Sequence, residues 1–449
     1  MSKKILAAAL LTAAAFAPAL AEPSIYPTGV TRYDPKLAYN SYVVFSGPDH
    51  ITRLIDMDGN VVHQWKYAGF PSEIIDPALT GGSKGHVLVQ LATNEINGAG
   101  VVPGMPSEFN NKTIGELDWD GKTLWQWGKE APGGAARQHH DWQREPDGNT
   151  LVLANSFHPI PGFKLPDILD DVIYEVSPQG KIVWQWKASD HLAEVGWTPE
   201  QFKLLQQVKA ADYLHVNNAT TLGPNKWFDA GDKRFAPDNI LFDSRNANFI
   251  AIIDHKTGKL VWTLGPNFPE SRPSSTVPRP VDQISGQHDA HLIEPGLPGA
   301  GNLIVFDNQG EGGYPPVPLG VNSGSRVLEI DPVKKQIVWQ YSGESSDRAG
   351  WAFYSSFISS ARRLPGGNTL IDEGMNGRFF QITPKGQIVW EYVNPYAAKS
   401  PVGGNASGPI TSNWVYRAQP VPYNWVPDGT PHEETAAKTP DLANFHVPK

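Results

Sequence analysis

The chain has 449 residues, no cysteine, 15 Trp and a formal net charge of −9. The lack of cysteine excludes disulfides, thiolate metal sites and a thiol nucleophile, so stability must come from packing. The acidic balance argues against a nucleic-acid partner or an anionic membrane surface, and an anionic substrate would need a local cluster of donors set against that field.

The chain begins MSKKILAAALLTAAAFAPALAEPS. Lys3 and Lys4 precede an apolar run that ends at Ala19-Leu20-Ala21, which predicts a signal peptide over 1–21, cleaved near Ala21, and a periplasmic protein. That run is too short to span a bilayer and no later segment is long and apolar enough, so no membrane insertion is expected.

Six segments then share one pattern: an apolar strand, a turn, and a strand ending in Trp or Tyr. They are ITRLIDMDGNVVHQW (51–65), IGELDWDGKTLWQW (114–127), IYEVSPQGKIVWQW (173–186), FIAIIDHKTGKLVWTL (249–264), RVLEIDPVKKQIVWQY (326–341) and FFQITPKGQIVWEY (379–392). Their turns carry Gly or Lys pairs suited to hairpins, and each second strand alternates with period two. Equivalent positions are His63, Trp125, Trp184, Trp262, Trp339 and Trp390. A second motif, seen in REPDGNTLVLANS (144–156), GAGNLIVFDNQ (299–309) and RLPGGNTLIDEG (363–374), feeds another buried strand. Two hairpins per unit make a four-stranded blade, so the expected fold is all-β: a six-bladed β-propeller over 22–397. A solenoid or a pair of sandwiches is the alternative.

Two segments depart from the repeat. Within 187–212, TPEQFKLLQQVK reads as a helix with Thr198 as N-cap, Pro199 at N1 and Gln201 at N3, set in a loop or lid. From 398 to 449 a Pro-rich tail follows, either a cap on the propeller or a mobile end.

Propeller sites form where innermost strands meet the channel. Aligning REPDGNTL with RLPGGNTL sets His140 opposite Ser359, and aligning the His-Asp pairs sets His140-Asp141 opposite His288-Asp289. His215, in DYLHVNNAT, opens a further inner strand. A lone histidine there is more often structural; three at comparable positions favour function, because clustering them is electrostatically costly. Three histidines are also a rival zinc site, but no His-x-x-x-His spacing supports a metal. By strand parity, His139, Asp141, Asp289 and His291 point away from the cluster, with the two aspartates pairing inside their blades.

In order, QHHDWQREPDGNTL, DYLHVNNAT, FDSRNANFIAIID, SGQHDAHLI and SFISSARRLPGGNTLI resemble the blade motifs of the bacterial arylsulfate sulfotransferases, over about 120 to 397. The resemblance implies a six-bladed propeller that moves a sulfuryl group from a phenolic sulfate ester to another phenol, with no nucleotide donor and no cofactor. It implies that His288 is the nucleophile, that His140, His215, Asn217 and Arg245 hold the sulfuryl oxygens, and that Ser359 supplies a hydroxyl. His215 or His140 would also carry the proton to the leaving phenolate. Aryl sulfates and phenols would be the partners; oligomeric state is left open. Several relatives carry a cysteine pair, where this sequence has no cysteine, and an extra N-terminal β-domain, where little sequence precedes the first blade here; His291 stands where many have Arg. Two other functions remain in play. DHKTGKLVW resembles the docking repeat of quinoprotein oxidoreductases, and a non-catalytic binding propeller would use the same histidines structurally.

Overall fold

The computed structural model describes residues 27–92, 111–266, 284–310, 324–405 and 408–438. The leader with its cleavage site, and residues 439–449 of the tail, lie outside them. No helix among the described residues is long and apolar enough to cross a membrane.

The six Trp-ended hairpins form the outer halves of six antiparallel sheets, so the fold is a six-bladed β-propeller. Burial grades along each blade. Outermost strands such as Gln336–Tyr341 alternate exposed and covered positions, whereas inner ones such as His288–Leu292 are buried throughout. This follows from the packing, since inner strands are covered by neighbouring blades on both faces.

Five of the six repeat positions stitch their blade to the next through its outer strand; at the sixth, Trp125 Nε1 has no hydrogen-bond partner among the described residues. The indole Nε1–H of Trp184 donates to His255 O (3.0 Å), Trp262 to Pro332 O (2.8 Å) and Trp339 to Pro384 O (3.2 Å). Trp390 donates to Met57 O (2.8 Å), joining the sixth blade to the first. His63, the one repeat position without tryptophan, does the same with Nε2 on Trp119 O (2.8 Å) and stacks on the Trp119 ring at 3.8 Å. The repeat therefore encodes the seams between blades.

Both chain ends close the ring. Gly29–Tyr33 adds a fifth strand outside Ile388–Val393 of the sixth blade. From the tail, Ala418–Val421 pairs with Tyr42–Ser46 and is the innermost strand of the first blade. The segment after 397 is thus partly propeller, and it brings Trp414, Tyr416 and Arg417 to the channel.

Helix α1, Pro199–Gln206, has the expected Thr198 cap, with Thr198 Oγ1 accepting from Gln201 N and the Gln201 side chain accepting from Thr198 N. Leu205 and Val208 pack with Leu192, Val195, Trp186 and Phe242, so the insertion fills the seam between the third and fourth blades.

Candidate active site

The innermost strands are Ala418–Val421, Ala68–Ile74, Gln138–Arg144, Val216–Thr221, His288–Leu292 and Ser360–Arg363. Their register is fixed by a belt of carboxylates. Asp141 Oδ2 accepts from Ala219 N, Asp243 Oδ2 from Ala290 N and Asp289 Oδ2 from Ala361 N, each at 3.1 Å and each from one blade to the next. Arg417 crosses the channel, with Nη1 2.7 Å from Asp141 Oδ1 and Nε 3.3 Å from Asp289 Oδ1, while Arg362 Nη2 lies 2.6 Å from the same Asp289 oxygen. The two aspartates thus face away from the histidines, as parity predicts, but they pair between blades and with the tail and not within their own blades as expected.

Two residues before Ala219, Ala290 and Ala361 stand Asn217, His288 and Ser359. His140 joins this tier by its own register. Arg144 and Arg363, four residues beyond His140 and Ser359, make matching pairs with Glu116 (2.5 Å) and Glu329 (2.7 Å). His215 lies two residues ahead of Asn217, on the turn leading into the strand. The backbone that presents these groups is left-handed at His140 (φ +58°), His215 (φ +53°), Asp289 (φ +59°), Ile358 (φ +54°) and Ser359 (φ +97°). Such angles are uncommon away from glycine and concentrate at functional sites. They also break strand parity. His139, expected to face away, has its Nδ1 2.8 Å from His140 Nδ1.

The side chains converge. The His140 and His215 rings lie 4.6 Å apart, and the Tyr416 ring lies 5.3 Å from His140 and 6.3 Å from His288. Phe70 sits 4.7 Å from His140 and 4.4 Å from Tyr416, and Trp414 packs in the same cluster. Arg245 is close enough for its charge to act on both His288 and His140. Asn217 Nδ2 donates to Gln287 O (2.8 Å), and Ser359 Oγ accepts from Gly374 N (3.0 Å), so the serine oxygen already has a partner. Asn248, in the turn after Arg245, accepts from Gly286 N (2.9 Å) and holds the start of the fifth blade.

His288 is the most tightly specified group. Its Nδ1 faces two acceptors, Gly286 O (3.0 Å) and Asn308 Oδ1 (2.8 Å), while Nε2 accepts from Ile358 N (3.0 Å). These partners place the proton on Nδ1 and the lone pair on Nε2. Burial, and then the Arg245 charge, hold the imidazole well below the usual histidine range, so it is neutral near pH 7. Burial and the neighbouring His215, His139 and His288 do the same to His140. His215 is built differently, with Nδ1 hydrogen-bonded to the Asp212 carboxylate. Burial would raise Asp212, but His215 and the nearby His139 and Arg245 bring it below the usual carboxylate range.

Phe70, Asp212, Asn308, Ile358, Trp414 and Tyr416 were not singled out by sequence. Phe70, Asn308 and Asp212 lay in or beside recognised blades, and the strand-start positions could have pointed to them. Tyr416 and Trp414 lie in a tail that shows no repeat.

Fold and site together define a propeller enzyme whose buried neutral imidazole is ringed by histidine, arginine and amide donors. The family model described as "Arylsulfotransferase (ASST)" matches residues 42–417. The chain belongs to the arylsulfotransferase family, whose general activity is sulfuryl transfer.

No curated relative matches the chain. Similar solved structures include a protein of unknown function from Bacteroides caccae, 12% identical with TM-score 0.45, covering 85% of this chain and 99% of that one. Virginiamycin B lyase from Staphylococcus aureus is 12% identical with TM-score 0.38, covering 82% and 85%. A putative 6-phosphogluconolactonase from Bacteroides fragilis is 8% identical with TM-score 0.36, covering 85% and 97%.

Proposed function

We propose that this protein transfers a sulfuryl group from a phenolic sulfate ester to a phenolic acceptor through a sulfohistidine at His288. The observation that carries the reading is the fixed tautomer: Nδ1 is committed to Gly286 O and Asn308 Oδ1, leaving the lone pair of a neutral imidazole on Nε2. In the first half-reaction Nε2 attacks sulfur, the N–S bond forms, the S–O(aryl) bond breaks and the phenolate departs. In the second a phenol oxygen attacks sulfur, the N–S bond breaks and His288 is regenerated. Splitting one transfer into two lowers each barrier.

The sulfuryl oxygens stay anionic throughout, so catalysis depends on donors fixed in advance. Arg245 offers a planar fork, and Asn217 and His140 offer neutral donors. His215, oriented by Asp212, is placed to give a proton to the leaving phenolate and to take one from the acceptor. Phe70, Trp414 and Tyr416 form an aromatic wall suited to an aryl group. The chain would act in the periplasm after loss of its leader, as its N-terminal sequence suggests.

The test is mass spectrometry of the protein after single turnover with p-nitrophenyl sulfate and no acceptor. A sulfuryl adduct on His288, discharged by added phenol, is expected. Normal transfer by His288→Ala would overturn the assignment.

A further inference from the structure

His288 is held with its proton on Nδ1 by Gly286 O and Asn308 Oδ1. His140 is held differently. Its Nδ1 meets Nδ1 of His139 at 2.8 Å, and on the far side of that ring His139 Nε2 lies 3.4 Å from Asp171 Oδ1. The line Asp171–His139–His140 crosses the third blade, from the strand Ile168–Val176, past Thr150–His158, to the inner strand Gln138–Arg144. All three residues are buried.

Two neutral ring nitrogens this close share one proton, so one donates and the other accepts. The line can be polarised in two ways. In the first, the Asp171 O–H donates to His139 Nε2, His139 Nδ1–H donates to His140 Nδ1, and His140 carries its proton on Nε2. In the second, His139 carries its proton on Nε2, and His140 carries its own on Nδ1. The Ala154 carbonyl lies against the His139 ring as a rival acceptor for its proton.

Two arguments choose the first polarity. Burial, and then the Asp212 and Asp170 charges, push the Asp171 carboxyl well above the usual range, with the Val216 N–H opposing, so it holds a proton. In the second polarity that proton is wasted, because Oδ1 would face the His139 N–H while Oδ2 is buried without a hydrogen bond. In the first it is used. Burial, followed by His215, brings His139 down to about 3 against Asp212 and Ala154, so its ring is neutral and can accept on one nitrogen and donate from the other. The second argument rests on the proposed transfer. Sulfuryl oxygens are anionic, so an N–H on the free side of His140 stabilises them and a lone pair there repels them.

We propose that Asp171 and His139 are positioning residues that fix His140 as its Nε2–H tautomer, so that a neutral imidazole donates to a sulfuryl oxygen. The channel then holds two imidazoles of opposite sense. His288 offers a lone pair at Nε2, and His140 offers an N–H at the same atom.

¹⁵N NMR of the full chain labelled in histidine, assigned with single histidine variants, reads the tautomers in the resting protein. His140 should carry its proton on Nε2 and His139 on Nδ1. Asp171→Leu keeps the volume and removes the donor; it should shift the His140 proton toward Nδ1 and lower kcat about tenfold with KM nearly unchanged. Asp171→Asn puts an N–H where the acid O–H was and should recover most of that loss, in tautomer and in kcat. A wild-type His140 proton on Nδ1, a His140 tautomer unmoved in Asp171→Leu, or an Asp171→Asn variant as impaired as Asp171→Leu would each overturn the proposal. The tautomers are read without substrate, so they are decided even where no sulfuryl transfer is found, and failure of the transfer reading shows separately as the absence of an adduct on His288.

Discussion

The backbone N–H of Ile358 donates to Nε2 of His288 over 3.0 Å, from a β-branched residue held at φ +54°. That backbone conformation costs on the order of 1–3 kcal/mol for such a residue. Asn308 ties the two together. Its Oδ1 accepts from His288 Nδ1, and its Nδ2 donates to Ile358 O and Ser355 O, each at 2.7 Å. On the proposed mechanism, a lone pair engaged in this way would attack sulfur only once the N–H has moved off it, and an incoming sulfuryl oxygen would be the natural new acceptor.

Asn308→Ala should therefore impair both rate and stability. It leaves the buried Ile358 carbonyl unpaired and Ser355 O with only Ser325 Oγ (3.3 Å), at about 1–3 kcal/mol of folding free energy, and it loosens His288 and its cap. We expect kcat to fall about tenfold to a hundredfold with KM nearly unchanged, read from steady-state assays beside thermal melts. An unchanged kcat would show that Asn308 serves the loop alone.

The pH dependence expected of the proposed nucleophile has a definite sign. Burial and Arg245 depress His288, so protonation does not silence it as pH falls from about 7 to about 5. With p-nitrophenyl sulfate, whose leaving group needs little help from an acid, the single-turnover burst rate should stay flat over that range. A drop following one proton near the ordinary histidine value would show that His288 is not held neutral.

Arg417 compensates Asp141 and Asp289 together in a buried channel. Arg417→Met should cost about 3–5 kcal/mol, because it leaves buried carboxylates without their cation. Denaturant unfolding measures this, and a loss below about 1 kcal/mol would mean the belt holds without it.

His63 does the work of a seam tryptophan, donating to Trp119 O while stacking on its ring. His63→Leu should cost about 1–2 kcal/mol by leaving that carbonyl unpaired, whereas His63→Trp should be tolerated within about 1 kcal/mol. Equal losses in the two variants, compared by thermal melting, would assign the effect to packing instead.

The sequence was most legible where the repeat speaks. The six hairpins, the seam positions and the Thr198-capped helix follow from turn chemistry and periodicity, which are local. The tier of His140, His288 and Ser359 also follows, because Gly turns and arginines set a common register. Reasoning by parity failed at His139, where the left-handed residue His140 re-aims the strand start; the aspartates do point away from His140 and His288, but they pair across to the next blade and with Arg417. Tyr416 and Arg417 were out of reach for a different reason. Their strand belongs to the first blade but is encoded after the sixth, a separation of more than 370 residues that no local pattern records.

That connectivity has a consequence for assembly. Until Ala418–Val421 docks, the first blade lacks its inner strand, and Tyr416 and Arg417 are not in the channel. The same event that locks the ring also supplies the aromatic wall and the cation of the belt. A chain cut short before this strand would keep His140, His215 and His288 in its sequence yet lack the inner strand of the first blade and the residues Tyr416 and Arg417, so on the proposed reading its transfer activity would be lost with them.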